Sequence, residues 1–494
     1  MRTNDWKAIL RMIGIMLVAE GTLMALCLIP SLHFADGTER VVAICSALTL
    51  TVGLLLWVSF AGFRRIEDRR MAYLLVTLLW VTLTLFAALP LMATGATSQA
   101  VTGYRSRTFT YAMFESMSGL TTTGATIFPE VGTLPASILL WRSMMQWFGG
   151  FGIVLLVLAL VPRLGINKYA LYTAEASTAD NTGRRAEKTS VTVRRMFGTY
   201  LVLTVLFIVA LRVSGLQLWD SVCLTFTNIS SGGFSVNSDG IARLTSLQQY
   251  ILSAAMLVSG VNFMLIYLFF TFRWRQIGHK LEQFRCYIVL AVLAVVGVAA
   301  VLHLYCGMPL DEAVRLSTVQ SISSLTTTGT VTADTSLWPV PVCFFLLMLS
   351  LCGGMAGSTS GGMKVMRVLI LMRNARAILH DRLHPDAINP VRLNGRPVSD
   401  HIRANVMVIF LVYGITLMVG TMLLMLFGTS ATEAIGATVG CLTGYGPGLG
   451  ASGGFGCYAA FSTPALWLWT FLMLLGRLEC MTVLVVLLPR FWRK

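Results

Sequence analysis

The sequence predicts an all-α integral membrane fold in which one unit occurs four times behind two extra N-terminal transmembrane helices. The unit is a span, a short helix, a glycine loop and a second span. Three observations predict it. Hydrophobic residues make up 56% of the 494 positions and charged residues only 12%, far too little charge to cover a soluble surface of this size. Apolar stretches of about 20 residues, the length that crosses a bilayer, recur along nearly the whole chain. Between them lie four segments, rich in Gly, Ser and Thr, that fit neither a span nor an ordinary loop.

The candidate spans are ten: 8–30, 42–63, 71–94, 136–162, 196–213, 248–272, 286–305, 339–372, 404–428 and 465–489, with 339–372 interrupted by glycines. Arg2, Lys7 and Arg11 precede or open the first. It is longer than the apolar core of a signal peptide, and no clear A-x-A site follows, so an uncleaved helix is expected.

A net charge of +15 signals nucleic-acid binding only where Lys and Arg cluster on a soluble face. Here they follow the loops. With the N-terminus in the cytoplasm and sides alternating, 29 of the 37 basic residues fall inside: 3 at the N-terminus, 4 in 64–70, 7 in 163–195, 4 in 273–285, 8 in 364–403 and 3 in 490–494. This is the positive-inside asymmetry. It puts both termini in the cytoplasm and leaves no nucleic-acid partner. None of the ten cysteines forms a C-x-x-C pair, and most lie in apolar runs, where a free thiol packs as a small hydrophobe. Cys441 and Cys457 both fall toward the outer face, where a bridge between them is open. The six histidines form no metal-ligand constellation, and His380 and His384, spaced i, i+4, lack a nearby third ligand. The chain is therefore not expected to be an enzyme.

The four unusual segments are 114–128 (FESMSGLTTTGATIF), 223–240, 317–334 and 437–456. Each is half apolar and runs into hydroxyl residues and glycine, and LTTTG recurs at 120–124 and 325–329. Taking Gly124, Gly233, Gly329 and Gly446 as equivalent gives separations of 109, 96 and 117 residues. The chain then divides into a hairpin at 1–66 and pore repeats at 67–165, 166–275, 276–376 and 377–494, the second and fourth preceded by cytoplasmic linkers. The short helices do not cross. If 110–122 spanned the membrane, every later loop would change sides and the charge asymmetry would collapse.

Irregular backbone at membrane depth is tolerated only where protein packs it or water reaches it. Four re-entrant loops around one axis meet that condition. Short helices descending from outside aim their partly negative C-terminal ends at the axis, which favours a cation. The loops present backbone carbonyls, and rings of these replace the hydration shell of potassium. A single Gly/Thr-rich turn between membrane helices proves little; the repetition carries the reading. G-x-G-x-x-G at Gly448, Gly450 and Gly453 is a decoy, because that fingerprint needs a strand before it and a helix after it.

Seven segments resemble one family: 118–126 (SGLTTTGAT), 145–153 (MQWFGGFGI), 231–235 (SGGFS), 353–367 (GGMAGSTSGGMKVMR), 446–450 (GPGLG), 476–479 (GRLE) and the terminal PRFWRK. On these the chain is identified as a member of the Trk/Ktr/HKT superfamily of potassium transporters, most similar to the bacterial TrkH-type potassium-translocating subunits. The resemblance implies a selectivity filter at Thr122, Thr123 and Gly124, at Ser231, Gly232 and Gly233, at Thr327, Thr328 and Gly329, and at Gly444, Tyr445 and Gly446. Thr330, where relatives often have glycine, and Tyr445, where many have Asn, depart from the pattern. A homodimer in the bacterial inner membrane is also implied, with potassium as the transported ion and no organic cofactor in this chain. A cytoplasmic ring of nucleotide-binding RCK subunits of the TrkA type would regulate it in trans. The basic segments 163–195 and 373–403 are the expected docking surface, with Arg184, Arg185, Arg373 and Arg376 as test positions.

Residues 352–364 hold five glycines and two serines, a density that breaks a helix. Small residues also let helices pack closely, so a simple kink is the plain reading. The resemblance implies instead a gate across the pore below the filter, involving Gly353, Gly354, Gly357, Gly361, Gly362 and Lys364. Arg477 lies within the last span, where an ionisable residue faces a cavity or a partner. Either it pairs with a carboxylate or, as we expect, it touches the gate loop. Glu115, in the first short helix, is expected to support the filter by hydrogen bonding. Two functions compete: a gated channel-like pore, and a secondary symporter coupling potassium to protons or sodium. Symporters often carry inverted repeats; these four all begin on the cytoplasmic side.

Overall fold

The computed structural model describes residues 3–63, 68–99, 108–164, 189–273, 281–384 and 390–493. Its regular elements are helices, apart from one two-residue antiparallel hairpin, Arg392–Leu393 with Arg396–Pro397. Asn394 and Gly395 close that hairpin at φ 50° and 76°, as a two-residue turn of this kind requires. Among the described residues, six helices are long and apolar enough to cross a membrane: Asn4–Phe34, Glu39–Ser59, Arg70–Ala93, Val191–Val213, Leu281–Cys306 and Asp400–Leu426. Ala136–Leu164 adds a helix of 29 residues. The all-α membrane architecture is as the sequence predicts.

The first two spans pack as an antiparallel pair along a glycine seam. A Cβ on Gly14 would lie 2.6 Å from Trp57 N, and one on Gly53 2.8 Å from Val18 N, so the two backbones touch. The connection between these two helices is tied to the next unit. Asp36 accepts from the Ser137 N–H (2.9 Å), the Thr38 N–H (3.1 Å) and the hydroxyls of Ser31 (2.6 Å) and Thr38 (2.7 Å). Burial alone would raise this carboxyl; those four donors outweigh it and hold the group at about 2.

The four short helices are Thr108–Leu120, Leu218–Ile229, Leu310–Leu325 and Ala431–Thr443. At 12 to 16 residues none is long enough to cross. Their C-terminal halves are buried.

Three expected spans are broken, where the sequence analysis expected one. The interruption at 339–372 separates Val340–Cys352 from Val365–Leu383. The expectation of continuous spans at 248–272 and 465–489 is corrected. Ser246–Ser259 and Phe263–Phe270 meet at 105°, and Thr463–Arg477 and Met481–Leu487 at 115°. At the first bend Asn262 accepts from the N–H groups of Met264 and Leu265 (2.9 and 3.3 Å), an N-cap that starts a new helix. At the second, Glu479 and Cys480 take left-handed backbone (φ 58° and 51°), and the Glu479 carboxylate is held by Arg367 at 2.8 Å.

Candidate functional site

The first three short helices end in the same turn. The N–H groups of Thr122, Ser231 and Thr327 reach back to the carbonyls of Gly119, Asn228 and Ser324 at 3.0 to 3.1 Å. Those of Thr123, Gly232 and Thr328 reach back to Ser118, Thr227 and Ser323 at 2.7 to 2.9 Å. This bond pair is a Schellman ending, which puts the residue between in left-handed backbone. Thr122, Ser231 and Thr327 accordingly have φ of 55°, 57° and 53°. In the fourth loop Gly444 takes that place at φ 74°, and the Tyr445 N–H returns to Gly440 at 2.9 Å. A threonine held so is strained by about 1–3 kcal/mol and persists only where its surroundings fix it.

Two residues later the chain is left-handed again, at Gly124, Gly233, Gly329 and Gly446 (φ 80°, 76°, 79° and 88°). Each of these glycines lies against the carbonyl that precedes the glycine of another loop. A Cβ on Gly124 would sit 2.2 Å from Gly232 O, and one on Gly233 would sit 1.9 Å from Thr328 O. On Gly329 it would meet Tyr445 O at 2.0 Å, and on Gly446 it would meet Thr123 O at 2.3 Å. The cycle closes on itself. No side chain fits at any of the four positions, so the four backbones touch around one ring of carbonyls. A cavity of about 70 Å³ adjoins the ring, lined by all four glycines together with Arg142, Phe234 and Tyr458.

Side chains stitch the ring from behind. Glu115 and Arg142, both buried, pair at 2.8 Å. The carboxylate also accepts from the Ile127 N–H (2.9 Å) and the Thr126 hydroxyl (3.0 Å), while Arg142 donates to Ser235 O (3.2 Å) and covers the Phe234 ring at 4.1 Å. First and second loops are thereby joined. The Thr330 hydroxyl donates to Asn228 Oδ1 (2.8 Å), joining second and third. Ser324 donates to the Tyr445 hydroxyl (3.0 Å), joining third and fourth. The Tyr458 N–H donates to Thr126 O (2.9 Å) and its hydroxyl to Gly446 O (2.8 Å), joining fourth and first.

Segment 353–364 is bonded to the ends of the same short helices. The Thr359 hydroxyl donates to Ile229 O (3.1 Å) and lies 2.9 Å from the Ser231 hydroxyl. The N–H of Gly361 donates to the Thr327 hydroxyl (2.6 Å), and that of Gly362 to Thr443 O (2.9 Å). The bend at 260–262 grips the segment from one side. The Met355 N–H donates to Gly260 O (2.8 Å), and the Asn262 amide to Ala356 O (2.7 Å). Arg477 grips it from another, donating to Thr359 O (3.0 Å) and to Gly149 O (3.1 Å). The Lys364 ammonium turns back onto Ser360 O.

The sequence-derived positions thus meet in two adjoining layers, the twelve loop residues in one and the glycine segment with Arg477 in the other. Among the described residues Arg477 has no carboxylate partner; Glu479 pairs with Arg367. Cys441 and Cys457 are free thiols. Arg184 and Arg185 lie outside the described residues, as do 165–188 and 385–389 of the basic segments. Arg373 is engaged within the chain, donating to Glu282 at 2.7 Å, whereas Arg376 is exposed. Sequence reasoning missed Arg142, Asn228, Ser324 and Tyr458. The signal for Arg142 was available, since a charge inside span 136–162 asks for the partner that Glu115 supplies.

The TrkH family, described as cation transport protein, matches residues 38–494. The Trk system potassium uptake protein TrkH of Halomonas elongata is 32% identical over 494 residues, covering 99% of each chain. The protein of that name from Escherichia coli K12 is 30% identical over 495 residues, covering 99% of this chain and all of that one. The crystal structure of the potassium transporter TrkH from Vibrio parahaemolyticus superposes with a TM-score of 0.86 at 29% identity, over 99% of this chain and all of that one. The chain belongs to the TrkH cation transport family.

Proposed function

We propose that this chain takes potassium up across the bacterial inner membrane through a gated, channel-like pore. Its filter is the ring formed by Thr122–Gly124, Ser231–Gly233, Thr327–Gly329 and Gly444–Gly446, one stretch from each of four pore repeats. The observation that carries the reading is the closed cycle of contacts, in which each filter glycine abuts the carbonyl before the next. Carbonyls packed this closely around one axis replace an ion's water, and the short helices end beside them with their partly negative termini. The relatives' names, which specify potassium uptake, support the choice of ion.

The glycine segment 353–364 acts as the gate, held by Arg477 through Thr359 O. Opening requires the bonds from Thr359, Gly361 and Gly362 to the loop ends to be released. A cytoplasmic nucleotide-binding subunit, docking on the basic linkers of a homodimer with both termini inside, supplies that work. Arg376 is the charge to reverse in testing the docking, because reversing Arg373 also destroys its pair with Glu282.

Purified protein in liposomes separates the pore from the symporter. With potassium on one side and a sodium or proton gradient opposed to it, a pore passes potassium only down its own gradient. Potassium driven uphill by either opposing gradient overturns the pore and establishes coupling to protons or sodium.

A further inference from the structure

The second loop differs from the other three at the ring itself. The residue whose carbonyl meets the neighbouring glycine is Thr123, Thr328 or Tyr445 in three loops and Gly232 in the second. The three side chains anchor their loops. Thr123 bonds the Thr121 hydroxyl (2.8 Å), Thr328 the Thr326 hydroxyl (2.7 Å), and the Tyr445 hydroxyl accepts from Ser324 (3.0 Å). Gly232 has nothing to anchor with.

Another helix fills the gap. Gln146, fully buried in Ala136–Leu164, donates from Nε2 to Gly232 O at 2.7 Å and accepts at Oε1 from the Phe234 N–H at 3.1 Å. The two contacts fix the amide's orientation, since a flip would set oxygen against oxygen and nitrogen against N–H. A Cβ built on Gly232 would meet the Gln146 Cδ at 2.4 Å and Oε1 at 2.5 Å. Gln146 therefore stands where the side chain of residue 232 would stand.

We infer that Gln146 is a positioning residue of the filter, completing the second loop from a neighbouring helix by holding the Gly232 carbonyl and setting the ring's preference among alkali cations. This rests on the filter reading above. The amide draws on one lone pair of a single ring carbonyl. It thereby fixes that oxygen's direction and makes the ring unequal in a way the loop sequences alone do not encode.

The test uses the full-length chain in a host lacking its own potassium uptake, with potassium and rubidium as probes and sodium as competitor. Gln146→Met keeps the volume and loses both bonds. It is expected to reduce discrimination against sodium about fivefold, the equivalent of one net hydrogen bond, with little change in the amount of protein in the membrane. A merely structural role lowers that amount and the maximal rate while leaving the ion ratio alone. Gly232→Thr is expected to abolish transport, because the new side chain collides with Gln146. The double variant Gln146→Ala/Gly232→Thr, which rebuilds the arrangement of the first and third loops, is expected to recover it. An unchanged ion ratio in Gln146→Met, or a double variant no better than Gly232→Thr, overturns the inference. Gly124→Ser run in parallel separates the two levels. If it shifts the ratio while Gln146→Met does not, only the role of Gln146 fails; if neither shifts it, the filter reading fails too.

Discussion

The ring of loops and the layer beneath it are one hydrogen bond apart and are built in opposite ways. The ring uses one device four times: a short helix, a left-handed residue, and a left-handed glycine pressed on a neighbour's carbonyl. The layer below uses three different breaks. Asn262 caps a new helix, five glycines open 353–364, and Glu479 with Cys480 bends the last span by 115°. The corresponding helix of the first unit, Ala136–Leu164, runs through unbroken. In a closed cycle of backbone contacts each loop is held by its neighbours. The layer with three unlike breaks has no such closed cycle. On the proposed function, selection falls to the closed cycle and gating to the layer of unlike breaks.

That contrast predicts where damage is greatest. Arg142→Met leaves the Glu115 carboxylate buried without its partner, at a cost of about 3–5 kcal/mol. The outcome is a large loss of assembled protein and a lowered melting temperature in detergent; a melting temperature equal to the parent's would show that the ring does not depend on its backing. Damage to the layer should spare folding and alter control. Removing Ser358–Ser360 takes out Thr359 but keeps the carbonyls of Ala356 and Gly357 that the 260–263 bend uses. Flux without the proposed regulatory subunit should rise severalfold with ion preference intact. Arg477→Ala should act the same way, and the two together should be less than additive. A shortened chain that assembles yet stays as partner-dependent as the parent would remove the gate from this segment.

The two layers were unequally legible in the sequence. LTTTG at 120–124 and 325–329 and four spaced glycines reveal the ring, because a backbone that must turn left-handed against another backbone leaves glycine little alternative. The left-handed position two residues before each of the first three glycines was hidden, since Thr122, Ser231 and Thr327 occupy it with side chains that local preference disfavours. In the lower layer only the five-glycine break was visible. Asn262 and Glu479 look like single polar residues in apolar runs, and what bends the chain there is contact with 353–364 and Arg367, partners about 90 to 110 residues away. Gln146 was missed for the same reason: its meaning depends on the side chain absent at 232.

The smallest expected effect lies outside both layers. Asp36 joins the first hairpin to Ser137, and its carboxyl, held at about 2 by hydrogen bonds that outweigh burial, is depressed below the unfolded value of about 3.9. A depressed carboxyl adds stability above the unfolded value and loses it as pH falls through the folded one. Asp36→Asn should therefore lower thermal stability slightly at neutral pH, by ~1 kcal/mol or less for a group only partly buried, and the difference should vanish on acidification toward pH 2. A difference that persists there assigns the loss to shape rather than charge.

Sodium competition against potassium uptake in four single variants is the sharpest test of the ring as a filter. Gly124→Ser, Gly233→Ser, Gly329→Ser and Gly446→Ser each push a side chain at a neighbouring carbonyl 1.9 to 2.3 Å from the new Cβ. Gly198→Ala, at a glycine with nothing within 4 Å, is the control. Each serine variant that reaches the membrane should admit sodium more readily than the parent, and Gly198→Ala should match the parent. Four serine variants with the parent's preference for potassium over sodium would contradict the account.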